Sequence, residues 1–138
     1  MKTDVMLTLL PQLLFLKALA PTLLRIALSV YFAYTARFIL EKKHHISVTR
    51  IPIVGHVPVW AVSLVSFIIA IVSGLLFVGA WTQIAALLGV VIGLKHAYAA
   101  RYYPTIVPFP PSTYILLFCI SLSLIVTGPG AFALDLPL

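Results

Sequence analysis

Four long apolar stretches, separated by short polar or proline-containing segments, dominate the hydrophobic pattern of the chain. They cover about residues 22–40, 57–78, 82–100 and 112–127. A helix needs about 20 mostly apolar residues to cross a bilayer. None of the stretches shows the two-residue alternation that is typical of barrel strands. The pattern therefore predicts an all-α fold, an integral membrane four-helix bundle that forms one membrane domain over residues 1–138.

Proline, glycine and charged residues predict the ends of these helices. Pro21 is expected at the first position of helix one, where its missing N–H costs little. The charged segment 41–45 ends that helix, and the segment 128–130 (Gly-Pro-Gly) ends helix four. Only the segment 79–81 (Gly-Ala-Trp) separates helices two and three. A turn this short predicts that these two helices are antiparallel neighbours.

The N-terminal residues 5–20 are apolar but contain Pro11 and Lys17. About 15 residues are too few for an ordinary membrane span. The sequence therefore predicts a short interfacial or re-entrant helix that leads into helix one. A fifth span is the alternative.

Composition agrees with a membrane protein and excludes several other classes. The chain is 62% hydrophobic and 9% charged, whereas soluble domains average about 25% charged residues. The net charge of +6 comes from residues beside apolar segments, so membranes explain it better than nucleic acid does. A single cysteine, Cys119, excludes a disulfide framework and a four-cysteine metal site. No metal site is predicted.

The distribution of lysine and arginine predicts the orientation. One side of the bundle holds six of them, namely Arg37, Lys42, Lys43, Arg50, Lys95 and Arg101. The other side holds three, namely Lys2, Lys17 and Arg25. The positive-inside rule then places the first and third loops in the cytoplasm and both termini outside. The membrane is expected to be a bacterial or archaeal plasma membrane.

Small residues at four-residue spacing predict how the helices pack, because close contact of small side chains drives much helix association in lipid. The sequence offers two stripes of this kind, Ala85, Gly89, Gly93 and Ala97 on helix three and Ser66, Ala70 and Gly74 on helix two. We expect the two stripes to meet across the hairpin. A dimer face is the alternative.

Three segments resemble the DoxX family of four-helix membrane proteins. Residues 74–87 (GLLFVGAWTQIAAL) resemble the junction of its second and third helices. Residues 127–135 (TGPGAFALD) resemble its C-terminal signature, and residues 24–28 (LRIAL) resemble its first helix. The sequence departs from the family's pattern at residues 34–37 (YTAR), where Gly and Lys are usual, at Gln83, where a basic residue is usual, and at residues 68–71 (IIAI), where an acidic residue is usual.

The resemblance implies a small membrane protein that accompanies redox enzymes, because the family is named after a subunit associated with a quinol oxidase. The expected role is an accessory subunit of a respiratory or quinol oxidase-type membrane complex, with no catalytic activity alone. Its partners would be the lipid bilayer and other membrane subunits, not nucleic acid. The alternatives are a stand-alone membrane oxidoreductase that uses quinone and, with less support, a small transporter.

Polar residues within a membrane span are costly and therefore suggest function. Arg25, Lys95 and His96 are candidates for binding a quinone or a lipid headgroup, and Asp135 is a candidate partner of Arg25. The competing interpretations are that Arg25 extends to the headgroups and that His96 is a solvated residue at a helix end. No cofactor is expected within the chain itself, apart from a bound quinone or lipid.

Overall fold

A computed structural model describes residues 3–49, 55–128 and 130, with side chains described from residue 19 onward. The described part of the chain is helical, with connecting turns and loops. The five helices, in chain order, are α1 (Thr3–Glu41), α2 (Lys43–Val48), α3 (Val59–Val78), α4 (Thr82–Tyr102) and α5 (Pro111–Thr127).

The first helix continues through the N-terminal segment. α1 comprises 39 residues, which corresponds to a length of about 58 Å. The expectation of a separate short N-terminal helix is therefore wrong, and Pro21 lies inside α1 and not at its first position. One proline removes a single backbone donor, and the leucine- and alanine-rich segment on both sides favours helix strongly enough to continue through it.

Three helices are long and apolar enough to cross a membrane, namely Leu19–Glu41, Val59–Val78 and Thr82–Tyr102. The fourth apolar helix, Pro111–Thr127, has 17 residues. Its length of about 26 Å is slightly less than the hydrocarbon thickness of about 30 Å. The described residues therefore form an integral membrane protein with three candidate spans and one shorter apolar helix.

The turn between α3 and α4 is formed as the sequence predicts. α3 ends at Gly79, which adopts the left-handed conformation (φ 74°), and its N–H donates to the Leu75 carbonyl at 2.8 Å. Trp81 is also left-handed (φ 51°), and α4 begins at Thr82. The loop after α1 differs from the prediction because it contains the short helix α2, which buries Ile46.

Serine side chains connect α1 to α3, which run antiparallel. Ser29 Oγ donates to the Ser73 carbonyl and Ser73 Oγ donates to the Ser29 carbonyl, both at 2.9 Å. Two turns away, Ser66 Oγ donates to the Ala36 carbonyl at 2.6 Å. In a membrane no water is present to bond to these polar groups, so hydrogen bonds between helices take its place. They fix the register of α1 on α3.

Glycines bring α4 close to α5, which also runs antiparallel to its partner. A Cβ atom on Gly89 would lie 2.8 Å from Ser121 Oγ and 3.2 Å from the Phe32 ring. A Cβ atom on Gly93 would lie 3.2 Å from the backbone of Phe118. Ala85 is also buried and Ala97 is half-buried. This stripe is therefore a packing face, but its partner is α5.

The expected meeting of the two small-residue stripes is wrong. Ala70 is exposed, and a Cβ atom on Gly74 would meet nothing within 4 Å. Ser66 is buried, but against α1. The physical reason is that a short turn fixes the direction of two helices and leaves their rotation free. The largest buried face of α3 packs against α1, and the largest buried face of α4 packs against α5.

Candidate functional site

Arg25 lies at the end of the fold where α1 passes the α3–α4 turn. The whole residue is 2% exposed. The interpretation that its side chain extends to the headgroups is therefore wrong. The expected pairing with Asp135 lies outside the described residues.

Glycine at position 79 makes this burial of Arg25 feasible. A Cβ atom on Gly79 would overlap the guanidinium, with the Cζ atom of Arg25 only 2.6 Å away. The arginine therefore lies directly against the backbone of the turn. Since Gly79 also has a positive φ, a side chain is disfavoured there both by conformation and by space.

The chain that follows α5 reaches the same end of the fold. A Cβ atom on Gly130 would lie 2.7 Å from Pro21 Cγ and 3.0 Å from Thr22 Oγ1. Thr22 and Thr82 are buried here as well, at 8% and 0% exposure. We call Thr22, Arg25 and Thr82, with the backbone of Gly79 and Gly130, the Arg25 end.

Parts of the chain that are distant in sequence come together at the Arg25 end. Arg25 belongs to segment 24–28, Gly79 to segment 74–87 and Gly130 to segment 127–135. Arg25 contacts Gly79, whereas Gly130 contacts Pro21 and Thr22, which precede segment 24–28. A guanidinium held at the end of a bundle can donate to carbonyl or phosphate oxygens. The Arg25 end is therefore the first candidate site.

His96 forms a second buried polar position, on α4. It is 6% exposed, and its Nδ1 lies 2.8 Å from the Ile92 carbonyl. Because a carbonyl oxygen only accepts, Nδ1 carries the proton and donates. The imidazole stacks obliquely on Tyr114 at 5.5 Å between ring centres. The interpretation of His96 as a solvated residue is therefore wrong.

Tyr114 connects His96 to α1. It is fully buried, and its hydroxyl lies 3.4 Å from Thr35 Oγ1. Thr35 Oγ1 donates to the Tyr31 carbonyl at 2.9 Å, so Tyr114 is the donor in the longer contact. Phe109 packs on the same tyrosine at 6.1 Å between ring centres. We call His96, Tyr114 and Thr35 the His96 cluster.

The predicted ligand-binding residues do not form one site. Arg25 lies beside the turn at the start of α4, and His96 lies 14 positions after Thr82, a rise of about 21 Å along the helix. Lys95 is exposed although the next residue, His96, is buried, because neighbouring residues on a helix point about 100° apart. No group of three His, Cys, Asp or Glu side chains suited to a metal ion occurs within the described residues.

A groove lies between α1 and α3, with a volume of 260 Å³. Its lining residues are Ala33, Ala36, Arg37 and Leu40 on α1 and Ser66, Ala70 and Ser73 on α3. Arg37 forms an exposed ion pair with Glu41 at 2.9 Å. We call this feature the α1–α3 groove. It opens to the outside of the helix pair, and its floor serines are bonded to α1.

Several residues that form contacts in these sites were not identified from the sequence. Ser29 and Ser73 form a reciprocal pair, and Tyr114 and Thr35 complete the His96 cluster. The seven-residue spacing of Ser66 and Ser73 was an available signal, because it places both on one helix face. Nothing in the sequence pattern pairs Tyr114 with His96, since that contact depends on how α5 rotates against α4.

Comparison with known proteins finds no family model, no curated protein and no solved structure that matches this chain. The resemblance to DoxX proteins stays a prediction from the sequence motifs.

Proposed function

We propose that the protein is a four-span membrane bundle that serves as an accessory subunit of a larger membrane redox complex. In this arrangement α5 crosses the membrane beside the three longer helices. It contains no charged residue and is apolar overall, and a modest local thinning of the bilayer accommodates a short span. The observation that supports the proposal is the contact of Arg25 with the turn at Gly79, next to the contact of Gly130 with Pro21 and Thr22.

The use of buried polar groups supports a subunit role over catalysis by the chain alone. Ser29, Ser66 and Ser73 bond helix to helix. Ser121 and His96 donate to carbonyls of their own helices. These bonds are what packing residues make. The Arg25 end differs because it combines a buried cation with the backbone of the α3–α4 turn and of Gly130, and we assign it the contact with a partner subunit or quinone.

A stand-alone quinone oxidoreductase is the second candidate, and one observation favours it. His96 and Tyr114 place an imidazole and a phenol side by side within the helices. Groups of these types can bond to quinone oxygens and move protons. Such an enzyme would act without a partner, which separates the two proposals by experiment.

The deciding experiment is extraction of the tagged full-length protein from its native membrane in a mild detergent. An accessory subunit migrates in a defined large assembly, and mass spectrometry identifies haem- or copper-containing subunits in it. The Arg25→Leu variant should lose these subunits. Arg101→Leu, which removes an exposed cation at the other end, should keep them.

Folding is measured separately, because loss of a buried arginine can also destabilise the chain. Each variant is compared by gel filtration and by its melting temperature in detergent before assembly is scored. A folded Arg25→Leu protein that assembles normally contradicts the site assignment. A purified chain that migrates alone and oxidises a quinol analogue contradicts the subunit role, and the His96→Phe variant then tests the second candidate.

A further inference from the structure

The α1–α3 groove is a surface feature that neither packing nor the proposed subunit role uses. Five of its seven lining residues are alanine or serine, and all seven lie on two candidate membrane spans, so the groove faces lipid. Ser66 and Ser73, which line it, direct their protons to carbonyls of α1. The groove is therefore an apolar channel along the outside of the helix pair.

The lining of the α1–α3 groove suits a hydrocarbon chain. Its volume is 260 Å³, and alanines on both helices form part of its lining. Short side chains on both walls leave a cleft that an extended, unbranched acyl chain can enter.

The charge at one end of the groove favours an anionic headgroup. Arg37 lines the groove, and its side chain is 80% exposed. Lys42 and Lys43 follow directly where α1 ends, and Glu41 is the only acid in the sequence between residues 5 and 134. The exposed Arg37–Glu41 pair is of a weak, easily exchanged kind. Basic residues at such a position attract anionic lipids.

We propose that the α1–α3 groove binds one acyl chain of an anionic phospholipid, whose phosphate lies beside Arg37. The chain runs along Ala33, Ala36 and Ala70 toward the middle of the bilayer. This inference depends on the membrane location of α1 and α3 and not on the identity of any partner subunit.

The test measures lipid binding to the purified full-length protein by native mass spectrometry. Phosphatidylglycerol and phosphatidylcholine with identical acyl chains are the probes. We expect one phosphatidylglycerol to be retained at concentrations where phosphatidylcholine is lost. Arg37→Gln should bind phosphatidylglycerol about fivefold more weakly, the factor that one basic residue near a membrane contributes. Arg101→Gln, a matched loss of an exposed cation on α4, should change binding less than twofold.

Two substitutions fill the groove from opposite walls. Ala70→Leu on α3 and Ala33→Leu on α1 are both at exposed positions, so the fold should tolerate them. Each should weaken phosphatidylglycerol binding at least tenfold. Ala27→Leu, an exposed alanine outside the groove, is the control. Melting temperatures of the three variants should agree, which shows that the difference is in binding.

Several outcomes would overturn the proposal. Equal retention of the two lipids would contradict a contact between the anionic headgroup and Arg37, and so would equal effects of Arg37→Gln and Arg101→Gln. Normal binding by both groove-filling variants would place the lipid elsewhere. A photoreactive side chain at position 70 that crosslinks to a protein in native membranes would assign the groove to a partner helix instead.

Discussion

Replacement of Gly93 by alanine tests the packing of α4 on α5, and Gly74 provides a matched control. Both glycines lie inside membrane-spanning helices, and neither has a positive φ. A Cβ atom on Gly93 would lie 3.2 Å from the N, Cα and Cβ atoms of Phe118. A Cβ atom on Gly74 would meet nothing within 4 Å. The two substitutions add the same methyl group to a crowded and to an open position.

The expected magnitudes follow from two opposing effects. Alanine stabilises a helix interior relative to glycine by about 0.5–1 kcal/mol, and this gain applies at both positions. Overpacking costs about 1–3 kcal/mol and applies only at Gly93, because the atoms in its way are the backbone and Cβ of Phe118, which no side-chain rotation can move. Gly74→Ala should therefore be stabilising, and Gly93→Ala should be less stable than it by about 1–3 kcal/mol.

The assay is reversible unfolding in mixed micelles, followed by circular dichroism, with the free energy of unfolding compared between the two variants. Subtraction removes the shared helix propensity and leaves the overpacking cost. A Gly93→Ala protein as stable as Gly74→Ala would refute the close approach of α4 and α5. It would also leave the stripe on α4 free to act as a dimer face.

Two further sets of substitutions and one NMR measurement test other contacts. Ser29→Ala or Ser73→Ala should each lower the free energy of unfolding by about 0.6–1.7 kcal/mol. The double variant should lose close to the sum, because each hydroxyl donates to a backbone carbonyl that alanine at the other position retains. Ser63→Ala, whose hydroxyl bonds within its own helix, should be neutral, and equally neutral Ser29→Ala and Ser73→Ala variants would contradict the bonds between the helices. Gly79→Ala should lower the free energy of unfolding by more than the roughly 1–2 kcal/mol of left-handed backbone strain, because the added methyl group also meets Arg25. In an Arg25→Met background the same substitution should cost less. An equal cost in both backgrounds would contradict the contact between the turn and Arg25. The ¹⁵N chemical shifts of His96 should report a proton on Nδ1, since that atom donates to Ile92, and a neutral ring protonated only on Nε2 would contradict the hydrogen bond.

The number of apolar helices and the positions of their turns were predictable from the sequence. Long apolar runs, Pro58, Gly79 and Gly128 mark helix ends by local chemistry that acts the same way in any context. The prediction from Pro21 was wrong. Proline often begins a helix, but Pro21 lies inside α1 because the residues on both sides of it favour helix. The three candidate spans confirm the membrane class, whereas the crossing of α5 stays a prediction.

The burial of the polar candidates was not predictable, because it depends on helix rotation. Arg25 and His96 both lie near helix ends in sequence, where exposure is the common outcome, yet both face inward. Ala70 and Gly74 have the spacing of a packing face and lie outside it. Buried Ile69 and Ser73 directly precede Ala70 and Gly74, so a rotation of about 100°, one residue on a helix, separates the expected packing face of α3 from the observed one. Local sequence does not encode that rotation.

The central claim, that four helices cross the membrane, is tested most directly by the location of the two ends of α5. Thr105 precedes this helix and Thr127 ends it, and both side chains are exposed. Single cysteines are placed at either position in a Cys119→Ser background, which removes the one native cysteine. Intact cells or sealed vesicles are then treated with a membrane-impermeant maleimide.

A four-span bundle predicts labelling of Thr127→Cys from outside and of Thr105→Cys only after the membrane is opened, in keeping with the positive-inside rule. Labelling of both cysteines from the same side would mean that α5 does not cross the membrane, and would contradict the four-span bundle in favour of a three-span protein.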